Sequence, residues 1–273
     1  MSEAIKKTGE RVVPEKFESK EEYLIYLRHI FAYEFAKKII SKKSSVLEVG
    51  SGNGYGTSRL SKNITDIIGI DIDKNAIEYS TKKYGSKSCI FKKYDGVKIP
   101  HKDNTFDAVI SFQVIEHIEN DENYVSEIQR VLKDNGIFLL TTPNKSLRLK
   151  PNQKPFNRFH IREYYSSELE NILRTKFSSV EIFGVCGNAE IQQIEILRIK
   201  KSLNIISLDF LNLKRVMLES IKLPIIRIIK RITCKSSTNK DKEKFLNKYN
   251  LDDFYITEKD FEKSLDLMGI CRK

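Results

Sequence analysis

Short apolar runs alternate with longer, helix-patterned polar stretches through much of the chain. Five runs, SVLEVG, DIIGIDI, SCIFKKY, FDAVISF and GIFLLTTP, have the length and branched-apolar content of strands, and residues 54–63, 74–84 and 121–133 between them have the length of helices. This alternation predicts a parallel sheet covered by helices on both faces. Upstream, EEYLIYLRHIFAYEFAKKII (Glu21 to Ile40) sets Leu24, Leu27, Phe31 and Phe35 near helical spacing and predicts an amphipathic helix. Downstream, SSELENILRTKF, with Ser166 or Ser167 as N-cap, predicts a helix leading into a sixth strand, SSVEIFGV, and SLDLMGICRK predicts one more.

The segment between the last two strands breaks this rhythm. In LNIISLDFLNLKRVMLESIKLPIIRIIKRI, clusters of Ile, Leu and Phe interleave with Lys and Arg around Pro224. Charges this frequent exclude a membrane span but suit an interfacial helix or a lid. The formal charge of +11 maps here too: residues 198–248 hold 14 Lys/Arg and four acids, which leaves 34 basic and 33 acidic residues elsewhere (48 − 14 and 37 − 4). Two roles stay open for this segment. Its charges could meet the anionic membrane face, a phosphate-bearing glycan or glycosyltransferases, with Ile225, Ile226, Ile228 and Ile229 as the apolar contact, or it could pack on the sheet or build a dimer contact. With no aromatic stacking surface among the basic residues, the pattern argues against nucleic acid. Cys89, Cys186, Cys234 and Cys271 form no C-x-x-C pair, so neither a metal site nor a disulfide framework is expected. The polar opening and the lack of a long apolar run lead to the expectation of a cytoplasmic protein.

The candidate chemistry starts at VLEVGSGNGYGTSRL, where Gly50, Gly52, Gly54 and Gly56 fall within seven residues after the first strand. Glycine there lets a ligand approach main-chain N–H groups. No register supplies G-x-G-x-x-G, and no Gly-Lys-Ser/Thr follows, so a pyrophosphate ligand is disfavoured. Glu48, two residues before the first glycine, repels phosphate and suits an ammonium group or a water bound to one. Asp71 ends the second strand, where an acid accepts from ribose hydroxyls. Asp95, after the third strand, suits an adenine amino group, with the following main-chain N–H groups facing the ring. The ligand implied has an adenosine, a free amino group and no phosphate.

The series VLEVGSGNG, IIGIDID, YDGVKIPHKDNTFDAVISFQVIEHI and RVLKDNGIFLLTTPN resembles the class I S-adenosylmethionine-dependent methyltransferases, in particular the group that includes the quinone-biosynthesis enzymes, over about residues 44–145. The resemblance implies a Rossmann-like α/β fold: a seven-stranded, mostly parallel sheet with an N-terminal helical cover and an α-helical lid insertion. It divides the chain into an arm and cover helix (1–40), a core (41–190 and 258–273) and a basic amphipathic lid (191–257). It further implies S-adenosyl-L-methionine as cofactor, with Glu48, Gly50, Gly52, Gly54 and Gln113 around the methionine moiety, and Asp71, Ile72, Asp95 and Gly96 around the ribose and adenine. The flanks TGERVVPE, LRHIFAYEFA, FNRFHIREYYSSEL and SLDLMGICRK are similar to methyltransferases of bacterial capsule and lipopolysaccharide assembly. That similarity implies a glycan acceptor methylated on oxygen, as a sugar hydroxyl or a phosphoramidate-type decoration. A quinone or other small-molecule acceptor is the alternative, and a non-catalytic scaffold of a glycan-assembly complex is a third reading.

A hydroxyl acceptor gains from a base. His117, just past the fourth strand, and His160, in the FHIRE loop, are the candidates because both fall at the carboxyl ends of the strands. His29 would reach the site only if the first helix folds over it, and His101 is expected to face solvent. Arg11 is a candidate partner for the methionine carboxylate, fixed by Glu10; the alternative is a solvated arm. Tyr23, Tyr26 and Tyr33 would line an acceptor pocket or pack as cover.

Overall fold

The computed structural model describes residues 17–207 and 239–273, together with Pro14. Arg11 and most of the basic insertion, including Pro224 and the isoleucines after it, lie outside the described residues.

In chain order the elements are α1 (Lys20–Ile39), β1 (Ser45–Val49), α2 (Tyr55–Ser61), β2 (Asp66–Asp71), α3 (Lys74–Tyr84), β3 (Cys89–Lys93), β4 (Phe106–Phe112), α4 (Asp121–Val131), β5 (Leu132–Pro143), α5 (Lys145–Arg148), α6 (Ser166–Arg174), β6 (Ser179–Gly187), α7 (Ala189–Ser207), α8 (Asn239–Lys248), β7 (Phe254–Thr257) and β8 (Asp266–Arg272). The strands form one sheet in the order β3-β2-β1-β4-β5-β8-β6-β7. From β3 to β5 every pairing is parallel, whereas β8 runs antiparallel between β5 and β6. The fold is therefore Rossmann-like α/β, as expected, but with eight strands. The extra one, β7, pairs antiparallel with the outer edge of β6. It falls inside the stretch expected to be a lid, and its four residues are too short to show a period of two.

The alternation of side chains along each strand sorts the core into two layers. Leu47, Val49, Val109 and Leu140 face α4 and α6 through Val125, Ile128, Leu169 and Leu173. Val46, Ala108, Ile110 and Leu139 face α1, α2 and α3 through Ala32, Ala36, Leu60 and Ile77. Each fully buried Leu or Ile contributes about 1.5–3 kcal/mol. A third cluster joins Leu24 and Leu27 of α1 to Ile191, Phe245, Tyr249 and Phe254, so both described flanks of the basic insertion pack on the N-terminal helix.

Local chemistry sets the helix starts. Ser19 caps α1 by accepting from the Glu22 N–H, Asp73 caps α3 through the Asn75 and Ala76 N–H groups, and Asn120 caps α4 through Asn123. The α6 start differs from expectation. Ser166 is already helical, Tyr165 holds the cap position, and Glu168 reaches back to accept the Tyr165 N–H at 2.9 Å.

β1 lies between β2 and β4, so the chain leaves the sheet in opposite directions on either side of it. In an open parallel sheet this reversal opens a crevice at the carboxyl ends of the strands. The loops after β1, β2, β3 and β4 all reach it.

Candidate active site

A cavity of about 1070 Å³ opens at this switch point and is lined by Gly50, Gly52, Asp71, Ile72, Asp95, Gly96 and Gln113 along one side, and by Arg28, His29, Glu116, His117, Arg148 and His160 along the other. Small-ligand pockets usually span about 300–1,000 Å³, so this one stands at the upper end of that range.

The glycine loop is built by positive backbone angles. Gly50, Gly52 and Gly54 have φ of 79°, 53° and 77°, a region that costs other L-residues about 1–2 kcal/mol. Their surroundings differ. A Cβ on Gly52 would meet nothing within 4 Å and would point into open space, whereas one on Gly54 would lie 2.5 Å from Ser80 and 2.8 Å from Phe91. Gly54 is not among the residues that line the cavity; its bare Cα lets α2 pack on α3 and β3.

Glu48 also stands back from the cavity wall. Being an even-numbered residue of β1, it points into the α1/α2 layer with Val46 and does not line the cavity. It is 1% exposed, and its two oxygens accept from the hydroxyls of Tyr33 (2.5 Å) and Thr57 (2.5 Å). Burial raises its carboxyl to about 7, against the lowering effect of the two hydroxyls. Any influence on an ammonium group passes through Tyr33, which does line the cavity.

Asp71 stands at the tip of β2. One carboxylate oxygen accepts from the Gly52 N–H and the other from the Asp73 N–H, each at 2.8 Å, which ties the glycine loop to the second strand. A carboxylate oxygen has a second acceptor site, so ribose hydroxyls can share it. Asp95 is exposed at the rim, where the Val97 and Lys98 N–H groups donate to its Oδ1 and hold its carboxyl below the usual range. Those two N–H groups, expected to face an adenine ring, turn to Asp95 instead. Ile72 and Val97, 62% and 65% exposed at the cavity, offer apolar contact to a flat base. Gln113, at φ 59°, donates to the Thr141 hydroxyl and borders the cavity floor.

The opposite wall is polar and largely invisible in the sequence. Arg28 pairs with Asp266 (2.7 Å) and Glu195 (3.5 Å), Arg198 pairs with Glu195 (2.7 Å), and Arg148 pairs with Glu163 (3.0 Å). Burial pushes Glu163 and Glu195 up, but His160 and Arg148, and Arg198 and Arg28, respectively, outweigh it and hold them low; in Asp266 burial prevails. Only Arg28 left a signal, standing four residues after Leu24 on the apolar face of α1. Arg148, Glu163, Glu195 and Asp266 come together from distant segments with no local pattern to mark them.

His117 and His160 meet here with ring centroids 5.0 Å apart. His117 Nδ1 donates to the Phe159 carbonyl (2.9 Å), and His160 Nδ1 lies 2.9 Å from the Glu163 carboxylate. Glu116, beside His117, went unremarked in the sequence; it is fully buried and lines the cavity, and burial raises its carboxyl to about 8. His29 also reaches the cavity, 3.0 Å from the Tyr55 hydroxyl, and burial followed by Arg28 lowers it to about 3. His101 is half-buried and packs edge-on against Phe106.

Fold and site together define an α/β protein with a nucleoside-type crevice, whose glycine loop is anchored to a strand-end acid and whose cavity continues to a charged wall. Residues 47–140 match the family described as "Methyltransferase domain". A protein of Mycolicibacterium smegmatis named "Probable S-adenosylmethionine-dependent methyltransferase" is 33% identical over 193 residues, covering 69% of this chain and 72% of its own length. A ubiquinone biosynthesis O-methyltransferase of Pelagibacter ubique is 29% identical over 110 residues, 39% of this chain and 45% of that protein. Among solved structures, a SAM-dependent methyltransferase of Thermotoga maritima shares the fold, with TM-score 0.56 and 16% identity over 93% of this chain and 94% of its own. The chain belongs to the S-adenosylmethionine-dependent methyltransferases, and S-adenosyl-L-methionine is its cofactor.

Proposed function

We propose that this methyltransferase acts on oxygen in a polar, glycan-type acceptor, a sugar hydroxyl or a decorating group of a bacterial cell-surface polysaccharide. The observation that carries this reading is the acceptor wall, where Arg28, Arg148, Arg198, Glu116, His117 and His160 line one chamber. The three arginines are already held by Asp266, Glu195 and Glu163, so a polyhydroxylated acceptor would meet Glu116, His117 and His160, whereas a polyprenyl phenol would strip those groups of water without replacing its hydrogen bonds. The likeness of the flanking sequence motifs to capsule and lipopolysaccharide methyltransferases supports the same reading. A quinone-like small molecule is the second reading, favoured by the ubiquinone biosynthesis relative.

The residues present fit the cofactor: an open glycine face at Gly52, a strand-end acid at Asp71, and exposed apolar side chains at Ile72 and Val97 beside Asp95. When bound, S-adenosylmethionine supplies an activated methyl group on a sulfonium. Asp71 would hold the sugar hydroxyls and Gly50 to Gly52 would admit the methionine end, with Tyr33 and Gln113 lining the cavity beside them. Glu116, His117 and His160 would hold the acceptor oxygen, and the imidazole of one of the two histidines would take its proton when the methyl group leaves the sulfonium for that oxygen.

The experiment is transfer of labelled methyl from S-adenosylmethionine to candidate acceptors. Label in nucleotide sugars or isolated capsule and none in a polyprenyl phenol supports the glycan reading. The reverse result establishes the small-molecule reading. Tight binding of the demethylated cofactor with no transfer to any acceptor points to a scaffold role, with 198–248 as the contact to a membrane or to glycosyltransferases.

A further inference from the structure

We propose that Glu116, His117 and His160 form a binding site for one divalent transition-metal ion in the acceptor chamber. This inference rests on the oxygen-methylation reading for its purpose but on separate observations for its existence. One ligand atom from each of the three side chains lies within 4.8 Å of the others, and the three would draw together to surround an ion at about 2.0–2.2 Å.

Three features indicate a built site rather than a chance cluster. First, Glu116 is fully buried, its Oε2 accepts from the Thr142 hydroxyl at 3.0 Å, and its Oε1 has no hydrogen-bond partner among the described residues. A buried carboxyl oxygen without a partner is costly unless something occupies it. Second, each imidazole is oriented through Nδ1. The Phe159 carbonyl can only accept, so His117 donates to it from Nδ1, and the Glu163 carboxylate accepts from Nδ1 of His160. Carbonyl or carboxylate support behind the ring is the usual outer arrangement of a metal-binding histidine. Third, the two halves of the site are tied by main-chain bonds. The Glu116 carbonyl accepts from the Ile161 N–H (2.9 Å) and the Arg162 N–H (3.4 Å), and Arg162 and Tyr164 both reach Asp121. The loop carrying His160 is thus hung from the residue that supplies the carboxylate.

Two nitrogens and one oxygen suit Zn²⁺, Co²⁺, Mn²⁺ or Fe²⁺ better than Mg²⁺, which prefers oxygen ligands. Three protein ligands leave at least one position open, and all three residues line the cavity. An acceptor hydroxyl in that position loses its proton to water more readily, because the ion's charge stabilises the alkoxide. The alkoxide lone pair then forms the C–O bond as the S–CH₃ bond breaks, and the bonding pair stays on sulfur, leaving a neutral thioether.

The test is titration of chelator-treated, full-length protein with CoCl₂, followed by visible absorption, calorimetry and thermal unfolding. The expected result is saturable uptake of one Co²⁺ per chain, a raised Tm, and affinity weakened at least tenfold in Glu116→Gln and in His160→Ala. Heat of binding for the demethylated cofactor, measured on the same samples, shows that each variant is folded. A wild-type protein that binds this cofactor but takes up no Co²⁺, or takes it up equally in both variants, overturns the metal site and leaves the methyltransferase reading intact. Methyl transfer unchanged after removal of metal overturns the proposed role of the ion. Co²⁺ uptake with no cofactor heat would instead count against the cofactor assignment.

Discussion

The Tyr33 hydroxyl donates a 2.5 Å hydrogen bond to the buried carboxylate of Glu48, joining the covering helix to the first strand of the sheet. Both residues lie under the glycine loop, and the Tyr33 ring stacks edge-on with Phe112 at the end of β4. One side chain thereby couples the cover helix, the cofactor loop and the chamber floor. Tyr33→Phe leaves one Glu48 oxygen without its donor and is expected to destabilise the protein by about 1–3 kcal/mol. Urea denaturation measures the loss, and an unchanged midpoint would contradict the coupling.

Glu48 also predicts a pH dependence. Its carboxyl is raised from 4.5 to about 7 in the folded chain, so above pH 4.5 the unfolded chain ionises first and holds fewer protons. This group's contribution to stability therefore falls as pH rises from about 4.5 to 7 and is level beyond. Glu48→Gln removes that slope. Relative to wild type, the variant should gain at most about 3 kcal/mol between pH 5 and pH 8, read from paired denaturation curves.

The glycines of the loop should separate into two classes. Gly54→Ala sets a Cβ against Ser80 and Phe91 in addition to the backbone strain, so stability falls by about 2 kcal/mol or more. Gly52→Ala meets no protein atom, loses about 1 kcal/mol to strain, and intrudes on the cofactor space. Calorimetry should show Gly52→Ala weakening cofactor binding at least tenfold, with the smaller change in Tm.

Asp71 holds the Gly52 N–H and faces the cavity, so Asp71→Ala removes both a loop anchor and an acceptor for ligand hydroxyls. Cofactor affinity is expected to drop tenfold to a hundredfold, on the scale of about 1.4–2.8 kcal/mol. Affinity equal to wild type would move the nucleoside away from the end of β2.

Arg148 and Glu163 are a buried pair, 6% and 0% exposed in their side chains. Arg148→Met leaves Glu163 charged with one partner fewer and should cost about 3–5 kcal/mol. The double variant Arg148→Met with Glu163→Gln should recover part of that loss. A double-mutant cycle showing additive effects would mean that the pair does not act as a unit.

The sequence by itself determined what depends on local pattern. Strand alternation and the apolar spacing of helices fixed the parallel half of the sheet, because burying one face of each element requires that periodicity. The Gly50–Gly54 cluster and the acids at 71 and 95 marked the crevice, since positive φ and strand-end carboxylates follow from neighbouring residues. Strand alternation already sends Glu48 to the same face as Val46, but only the tertiary structure puts the Tyr33 and Thr57 hydroxyls over it. The same holds for the buried pairs of Arg28 with Asp266 and Arg148 with Glu163, and for the meeting of Glu116 with His160. These contacts join residues far apart in the chain, and charges that find one another only after the sheet closes leave no periodic trace along it.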